Sequence, residues 1–408
     1  MLALPEVLRN RSVVYILFSR VMSTMAYQMI TVAVGWQIYS LTNDTFYLGL
    51  VGLMQFLPMI MLTLIVGHVA DRYDRRIIAG ICQISQCAAI FALAAGSFTG
   101  SLTKGNILII VFLMGIAHAF EGPATQSLLP NLVSKELFPK AAALAASSFQ
   151  TAVIIGPALG GLLYSKGPAA VYMVSGIMLL ISAVFIFQIS KSERKSSTEK
   201  VSIKSLLAGI SFIKSKPIIL GAISLDLFAV LLGGATALLP AYAKSILFIG
   251  PLGLGVLRSA PAVGALVMSA YLARKPLKNK VGYKMFTAVF IFGVGTIVFA
   301  LSRSFVLSLA SLIVMGGADV ISVVVRSTLV QMETPDHMRG RVSSVNMLFI
   351  GTSNQLGEFE SGITASLFGL VPAAVIGGIG TIIVVALWMT VFPGLARVDN
   401  LGGASENT

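Results

Sequence analysis

Apolar runs long enough to cross a lipid bilayer dominate this sequence. A transmembrane helix needs about 20 consecutive apolar residues, and charged or turn-forming breaks leave twelve runs of that length. They cover residues 13–41, 46–70, 77–99, 106–130, 141–165, 168–190, 217–243, 251–273, 282–302, 304–332, 342–368 and 372–395. Only 11% of the residues are charged, whereas ordinary soluble domains carry about 25%. The sequence therefore predicts an all-α membrane protein with twelve transmembrane helices, and it excludes a disordered chain and a typical soluble enzyme.

The basic residues are distributed unevenly between the two sides of the predicted membrane protein. Of the 29 Lys and Arg residues, 22 lie in or at the edge of segments on the same side as both termini, 4 lie on the opposite side and 3 lie deep within the runs. Because positively charged loops stay in the cytoplasm, we expect both termini to be cytoplasmic. The same distribution accounts for the net charge of +13 without a nucleic-acid partner.

One long polar connection divides the twelve runs into two sets of six. Residues 191–216 are rich in Ser and Lys, and the segments 150–161 and 351–362 repeat at an offset near 201 residues. We therefore expect three parts, with the two bundles pseudo-symmetric and enclosing a site near the membrane midplane. They are an N-terminal six-helix bundle at 1–190, a cytoplasmic central loop at 191–216 and a C-terminal six-helix bundle at 217–408.

The connection between the second and third runs carries a recognisable motif. Residues 67–76 read Gly-His-Val-Ala-Asp-Arg-Tyr-Asp-Arg-Arg, which resembles the G-x-x-x-D-R-x-G-R-R signature of the major facilitator superfamily. Asp74 replaces the usual Gly of that signature. Glycine permits close approach of a facing helix, Asp71 can cap the following helix or pair with an arginine, and the basic cluster keeps the loop inside. The residues assigned to this gating loop are Gly67, Asp71, Arg72, Arg75 and Arg76.

A second motif lies in the fifth run, where residues 156–161 read Gly-Pro-Ala-Leu-Gly-Gly. It is similar to the core of a motif found in superfamily members that export a substrate in exchange for protons. Proline kinks a helix and glycines permit tight helix crossing, so a generic packing kink is the alternative reading. The residues of this exporter-type kink are Gly156, Pro157, Gly160 and Gly161.

Further segments, spread over nearly the whole chain, resemble the enterobactin exporter-like subgroup, also called the transmembrane secretion effector family. These segments are 36–39, 239–241, 257–261, 317–319, 335–342 and 357–362. Members of that subgroup expel siderophores, macrolides and other organic molecules. The resemblance implies export of a small organic molecule across the bacterial inner membrane by alternating access, with a siderophore as the leading substrate and a hydrophobic drug next.

Ionisable and polar side chains within the runs are the candidate functional residues, because a charge at the bilayer centre costs about 2.5–3.5 kcal/mol or more. In the superfamily, the first, fourth, seventh and tenth helices line the central cavity. The proton-coupling candidates are Glu121, Asp319, Asp226 and His118. The substrate-cavity candidates are Arg20, Tyr27, Gln28, Arg326, Asn354 and Gln355. The intramembrane ion-pair candidates are Arg258, Glu358 and Glu360.

Spacing and depth suggest how these charges are arranged. Asp319 and Arg326 are seven residues apart and share a helix face, while the similar depths of Arg326 and Asp226 favour an ion pair. Arg258 and Glu358 have similar depths as well. The acids outnumber the arginines in this set, so at least one acid is expected to lack a permanent partner and to exchange a proton. Glu121 and Asp319 are the first choices.

Other readings of the sequence stay open. The fourth run lacks the R-x-x-x-G pattern of many proton antiporters and reads His118-Ala119-Phe120-Glu121-Gly122 instead, so the resemblance does not carry proton coupling over by motif. The alternatives are uptake, lipid or metal transport on the same fold, and a membrane receptor or assembly protein that transports nothing. We expect no enzyme activity, no metal site and no cofactor, since the sequence has no P-loop and no metal-binding spacing. The expected partners are a small organic substrate, protons and the lipid bilayer, and the expected state is a monomer.

Overall fold

The computed structural model describes residues 6–190 and 203–400, and within these residues it contains helices and no β-strand. The α-helices are α1 (Arg11–Thr42), α2 (Thr45–Arg72), α3 (Arg75–Phe98), α4 (Lys104–Gln126), α5 (Phe138–Tyr164), α6 (Pro168–Phe187), α7 (Ile203–Ser215), α8 (Pro217–Leu232), α9 (Leu239–Ser245), α10 (Pro251–Arg274), α11 (Val281–Leu301), α12 (Phe305–Met332), α13 (Asp336–Phe368), α14 (Leu370–Val391) and α15 (Pro393–Ala396). Short 3-10 helices occupy Glu6–Arg9, Leu129–Asn131 and Ala235–Leu238.

Among the described residues, 11 helical segments are long and apolar enough to cross a membrane. They coincide with eleven of the twelve predicted runs. The remaining run, 342–368, lies in α13, a helix of 33 residues that is about 50 Å long at 1.5 Å per residue. It has the length to span a bilayer, but it is less apolar because Asn354, Gln355, Glu358 and Glu360 lie along it.

The seventh run is interrupted, whereas the sequence predicted one continuous span at 217–243. Helix α8 ends at Leu232, and two glycines and a 3-10 helix precede α9. A Cβ added at Gly234 would lie 2.6 Å from the carbonyl oxygen of Gly357 on α13. The Thr381 hydroxyl of α14 donates a hydrogen bond to the carbonyl oxygen of Ala229 at 3.1 Å. Neighbouring helices therefore pack against the break and supply a hydrogen bond beside it.

The predicted central loop contains a helix that was not foreseen from the sequence. Residues 203–215 form α7, and its apolar side chains recur every three or four positions, as in an amphipathic helix. Ile213 is buried against Met338 and Val342 of α13. The sequence prediction failed because this run is too short to be a membrane span and lies among lysines and serines. Residues 191–202 of the predicted loop lie outside the described residues.

The helices group into two compact units. The described part of the first unit comprises residues 6–43, 54–190 and 249–259, and the second comprises 44–53, 203–248 and 260–400. The first unit therefore includes the start of α10, and the second includes the start of α2. The first has a buried core formed by α1, α3, α4, α5 and α6, and a core of the second lies among α8, α11, α12 and α14. The division at 1–190, 191–216 and 217–408 stays a prediction.

Candidate functional site

A cavity of about 300 Å³ lies within the first unit, between side chains of α1, α3, α4 and α5. Pockets that bind small molecules commonly enclose about 300–1,000 Å³, so this cavity is at the lower end of that range. It brings together five residues that the sequence singled out. These are Arg20, Tyr27, Gln28, His118 and Glu121.

Glu121 is a buried acid, with 6% of its surface exposed. The Ser23 hydroxyl and the Gln83 amide each donate a hydrogen bond to Oε1 at 2.9 Å, and the Gln86 amide donates to Oε2 at 2.7 Å. Among the described residues Glu121 thus has three neutral donors and no ion pair, and its role in proton coupling stays a prediction. Three hydrogen bonds from two different helices fix the position of the carboxyl group.

The three donors come from two helices. Ser23 is on α1, and the two amides are on α3, three residues apart and on one face of that helix. None of these three residues was among the predicted site residues, because none of them is ionisable. The signal was present, since Gln83 and Gln86 are polar residues within an otherwise apolar run.

The cavity also has an aromatic wall and a cation. The rings of Tyr27 and His118 are stacked, with centroids 4.9 Å apart and an angle of 13° between their planes. The Tyr27 hydroxyl donates to Gln55 Oε1 at 2.7 Å. Arg20 lines the same space and is half-buried. Among the described residues no ion pair of its guanidinium group is found. The cavity thus offers a cation, stacked rings, an acid and amides to a small organic molecule.

Other predicted residues form a cluster in the second unit. Asp226 of α8 and Arg326 of α12 form the expected ion pair, and both are buried, with 5% and 4% exposed. Arg326 therefore lies in an ion pair and does not line the first-unit cavity, and its predicted role in a substrate cavity stays a prediction. Asp226 and Asp319 line a separate void of about 10 Å³ together with Ser322. That volume is close to the minimum of roughly 10–15 Å³ that holds one water molecule.

The predicted residues of α13 line neither the first-unit cavity nor the void beside Asp319. Asn354 is exposed, Gln355 is half-buried, and neither lines the first-unit cavity. Glu360 accepts a hydrogen bond from the Thr364 hydroxyl of the same helix at 2.7 Å. Glu358 packs against the start of α2, where a Cβ added at Gly52 would lie 2.8 Å from its Cβ. The pairing of Glu358 with Arg258 stays a prediction.

The predicted gating loop is organised by the residue that departs from the family signature. Asp74 caps α3, where its Oδ1 accepts a hydrogen bond from the backbone N–H of Arg76 at 3.0 Å. The Arg76 guanidinium group also pairs with Asp74, with Nη2 2.6 Å from Oδ2. Asp71 lies in the last turn of α2, so Asp74 rather than Asp71 caps the following helix. The side chain of Asp71 lies outside the described residues. Gly67 and Arg72 belong to α2, and Arg75 begins α3.

The exporter-type kink is a surface of close helix contact. A Cβ added at Gly156 would lie 2.8 Å from Gln28 Cβ, and one at Gly160 would lie 2.8 Å from the Cα of Met29. On the other side of α5, a Cβ at Gly161 would collide with the carbonyl oxygen of Pro251 at the start of α10. The glycines therefore allow α5 to approach both α1 and α10, with Pro157 inside the helix.

Comparison with known proteins gives consistent results. The model of the Major Facilitator Superfamily matches residues 16–358. The chain is 24% identical over 387 residues to the enterobactin exporter EntS of Citrobacter koseri, covering 94% of this chain and 92% of that protein. It is 24% identical over 395 residues to the MFS-type transporter YjbB of Bacillus subtilis, covering 95% of each chain.

Two solved structures share the fold. One is a bacterial homologue of the human lysosomal transporter Spinster, with a TM-score of 0.74, 14% identity and coverage of 95% of this chain and 97% of that chain. The other is a bacterial homologue of the iron transporter ferroportin, with a TM-score of 0.71, 17% identity and coverage of 97% and 100%. Because the family model spans most of the sequence, this protein belongs to the major facilitator superfamily and is a multi-pass membrane transporter of small molecules rather than an enzyme.

Proposed function

We propose that this transporter exports a small organic molecule, siderophore-like or drug-like, across the bacterial inner membrane by alternating access in exchange for protons. The observation that carries the proposal is the cavity of the first unit, where Arg20, Glu121 and the stacked rings of Tyr27 and His118 surround about 300 Å³. The similarity to proteins named enterobactin exporters supports export over uptake. We further propose that both termini are cytoplasmic and that the protein works as a monomer.

The cavity residues suggest complementary roles in substrate binding. A guanidinium group binds carboxylate, phenolate or carbonyl oxygens through several donors, which suits Arg20 to a substrate oxygen. The stacked pair of Tyr27 and His118 offers an aromatic face to a ring. The hydrogen bonds from Ser23, Gln83 and Gln86 hold Glu121 in one position, so its carboxyl group can discriminate between substrates by charge and hydrogen bonding.

Transport into everted membrane vesicles tests the direction and the energy source. Respiration acidifies the lumen of such vesicles, so a proton antiporter that exports in the cell should accumulate substrate inside them. The probes are iron-free enterobactin and ethidium, each measured with and without a protonophore. We expect accumulation of at least one probe and its collapse when the protonophore is added. Accumulation only in right-side-out vesicles would indicate uptake and contradict the proposal.

Two cavity variants test the site itself. Arg20→Met and Glu121→Gln each remove a charge from the cavity, and a hydrogen bond to a charged group is worth about 1.5–3 kcal/mol. We therefore expect the initial rate at low substrate concentration to fall roughly tenfold or more, since about 1.4 kcal/mol corresponds to a factor of ten. Asp336→Asn is the matched control, because Asp336 is 88% exposed at the start of α13. Unchanged rates in both cavity variants would refute the assignment.

A further inference from the structure

The second unit contains a buried polar cluster that substrate binding in the first-unit cavity does not use. Asp319, Ser322 and Arg326 are spaced three and four residues apart on α12, so they lie on one face of that helix. Asp226 on α8 completes the cluster through its ion pair with Arg326. Both members of that pair are at most 5% exposed.

The charges of this cluster do not balance. The charged groups that face Asp319 are Asp226 from α8 and Arg326 from its own helix, while α11 contributes Val289 and Phe292. Helix α10 approaches the same part of α12 through Gly264 and Met268, which carry no charge. Two carboxyl groups therefore share one guanidinium group. An isolated charge in a low-dielectric interior is strongly unfavourable, so uptake of a second positive charge by the acids is favoured.

A small void lies between the two acids, where a proton could be held. It encloses about 10 Å³ between Asp226, Asp319 and Ser322, close to the space of one water molecule. Ser322 is 2% exposed, and its hydroxyl has no hydrogen-bond partner among the described residues. Arg326 Nε is also buried without a partner there. A water in the void has the two to four polar neighbours that a buried water needs, and it would satisfy the Ser322 hydroxyl.

We infer that Asp226 and Asp319 share one exchangeable proton, with Arg326 as their common counter-ion and with a water held by Ser322 as the bridge between them. When Asp319 carries the proton, Arg326 pairs with Asp226, as the structure shows. When the O–H bond of Asp319 breaks and its proton passes through the water to solvent, Arg326 neutralises one of two carboxylates. The other residues that line the void are apolar and offer no side-chain ligand to a metal cation: Ala229, Val230, Val289, Phe292 and Ala318.

This inference rests on the proposed proton-driven export, and it assigns the coupling site to the second unit rather than to Glu121. Substrate and proton then bind at different places, each built within one unit. The transporter therefore couples two distinct sites rather than making both ligands compete for a single carboxylate.

Infrared difference spectroscopy of the full-length protein in lipid nanodiscs tests the inference without any substrate. A protonated carboxyl group gives its own C=O band, which disappears when the proton leaves. Among the titrating carboxyl bands of the wild type, we expect one that is lost in Asp319→Asn. We also expect its loss in Asp226→Asn, since Arg326 then pairs with the only remaining acid of the cluster. The band should persist in Glu121→Gln and in the surface control Asp336→Asn.

Other outcomes of the same experiment overturn the inference. Loss of the band in Glu121→Gln with retention in Asp319→Asn would place the proton in the first unit. Suppression of the band when Na⁺ replaces choline would mean that Na⁺ competes for the cluster. Ser322→Ala keeps every charge and guards against misfolding of the Asp variants. We expect it to shift the frequency of the band, and an unchanged frequency would rule out the Ser322-held water.

The transport assay separates a failure of the inference from a failure of the proposed function. If the wild type shows the expected band but accumulates no probe in energised vesicles, the proton site stands and the export proposal fails. If the wild type accumulates a probe in a protonophore-sensitive manner and Asp319→Asn does the same, export stands and the site assignment fails.

Discussion

Replacing Asp226 and Asp319 by Asn, singly and together, tests how Arg326 is held in the second unit. In the wild type, Arg326 pairs with Asp226, and Asp319 lines the same small void as Asp226. Removing Asp226 alone leaves Asp319 as a substitute partner for the guanidinium group. Removing both acids leaves a buried arginine with no acid of the cluster to pair with. The two substitutions are therefore expected to be strongly non-additive.

The expected magnitudes follow from burial and pairing. Breaking a buried ion pair by removing one partner usually costs about 3–5 kcal/mol, and Arg326 is only 4% exposed. We expect the double variant to lose that amount in the free energy of unfolding. With re-pairing to Asp319, Asp226→Asn alone should lose about 1–2 kcal/mol, and Asp319→Asn less than about 1 kcal/mol. The coupling free energy is then about 1–3 kcal/mol, within the range for residues of one network.

Reversible unfolding in mixed detergent micelles, followed by the helical circular dichroism signal, measures these values. Asp336→Asn provides the surface reference, because its pair with Arg339 is 2.7 Å apart but exposed. Such a pair should contribute no more than about 1 kcal/mol. If the Asp226 and Asp319 variants are additive within about 0.5 kcal/mol, Arg326 is not shared between the two acids and the reasoning is refuted.

Three further substitutions test helix packing and capping, two of them by chemical or thermal unfolding and the third by limited proteolysis. Gly161→Ala should lower the free energy of unfolding by about 1–3 kcal/mol, because overpacking forces the backbones apart. Gly340→Ala is the control, since the added methyl group has open space and should not lower the free energy of unfolding. Equal effects of the two substitutions would contradict this interpretation. Asp74→Ala should cost about 0.5–2 kcal/mol through loss of the helix cap, and Asp74→Asn should retain most of it. A Cβ added at Gly209 would lie 2.8 Å from the carbonyl oxygen of Arg341, so Gly209→Leu should separate α7 from α13. Limited proteolysis should then cut more readily near α7, and an unchanged rate of cleavage would contradict the packing of α7 on α13.

The membrane spans and one ion pair could be predicted from the sequence because the bilayer restricts both. Its thickness sets the length of each apolar run, and a position within a run gives a depth. Asp226 lies nine residues from the start of its run, and Arg326 lies six residues from the end of its run. Both of these helix ends are on the predicted cytoplasmic side, so similar depths favoured the pair that the structure contains.

The finer details of the sites depend on how the helices pack and which way their side chains point, and a single sequence does not show either. Gln83 and Gln86 were visible as polar residues, but only the packing of α3 against α4 shows that their amides meet Glu121. Asp74 was noted as a departure from a glycine, whereas its role as a helix cap depends on where α2 ends. Nothing in the sequence distinguishes Ser322 from other helical serines, and its proposed role depends on the void that it lines.

The break between α8 and α9 has a consequence for how the protein is assembled. Helix α8 has 16 residues and is about 24 Å long, which is less than the hydrocarbon thickness of about 30 Å. The stretch Pro217–Ser245 has 29 residues, and an 18-residue window within it reaches a mean hydropathy of 2.2, so the insertion machinery encounters a segment long and apolar enough to span the membrane. Open backbone groups are costly in lipid, and the helices that pack against the break, α13 and α14, are made after it. We therefore expect the seventh span to insert as one continuous helix and to break late, when the last helix docks beside it.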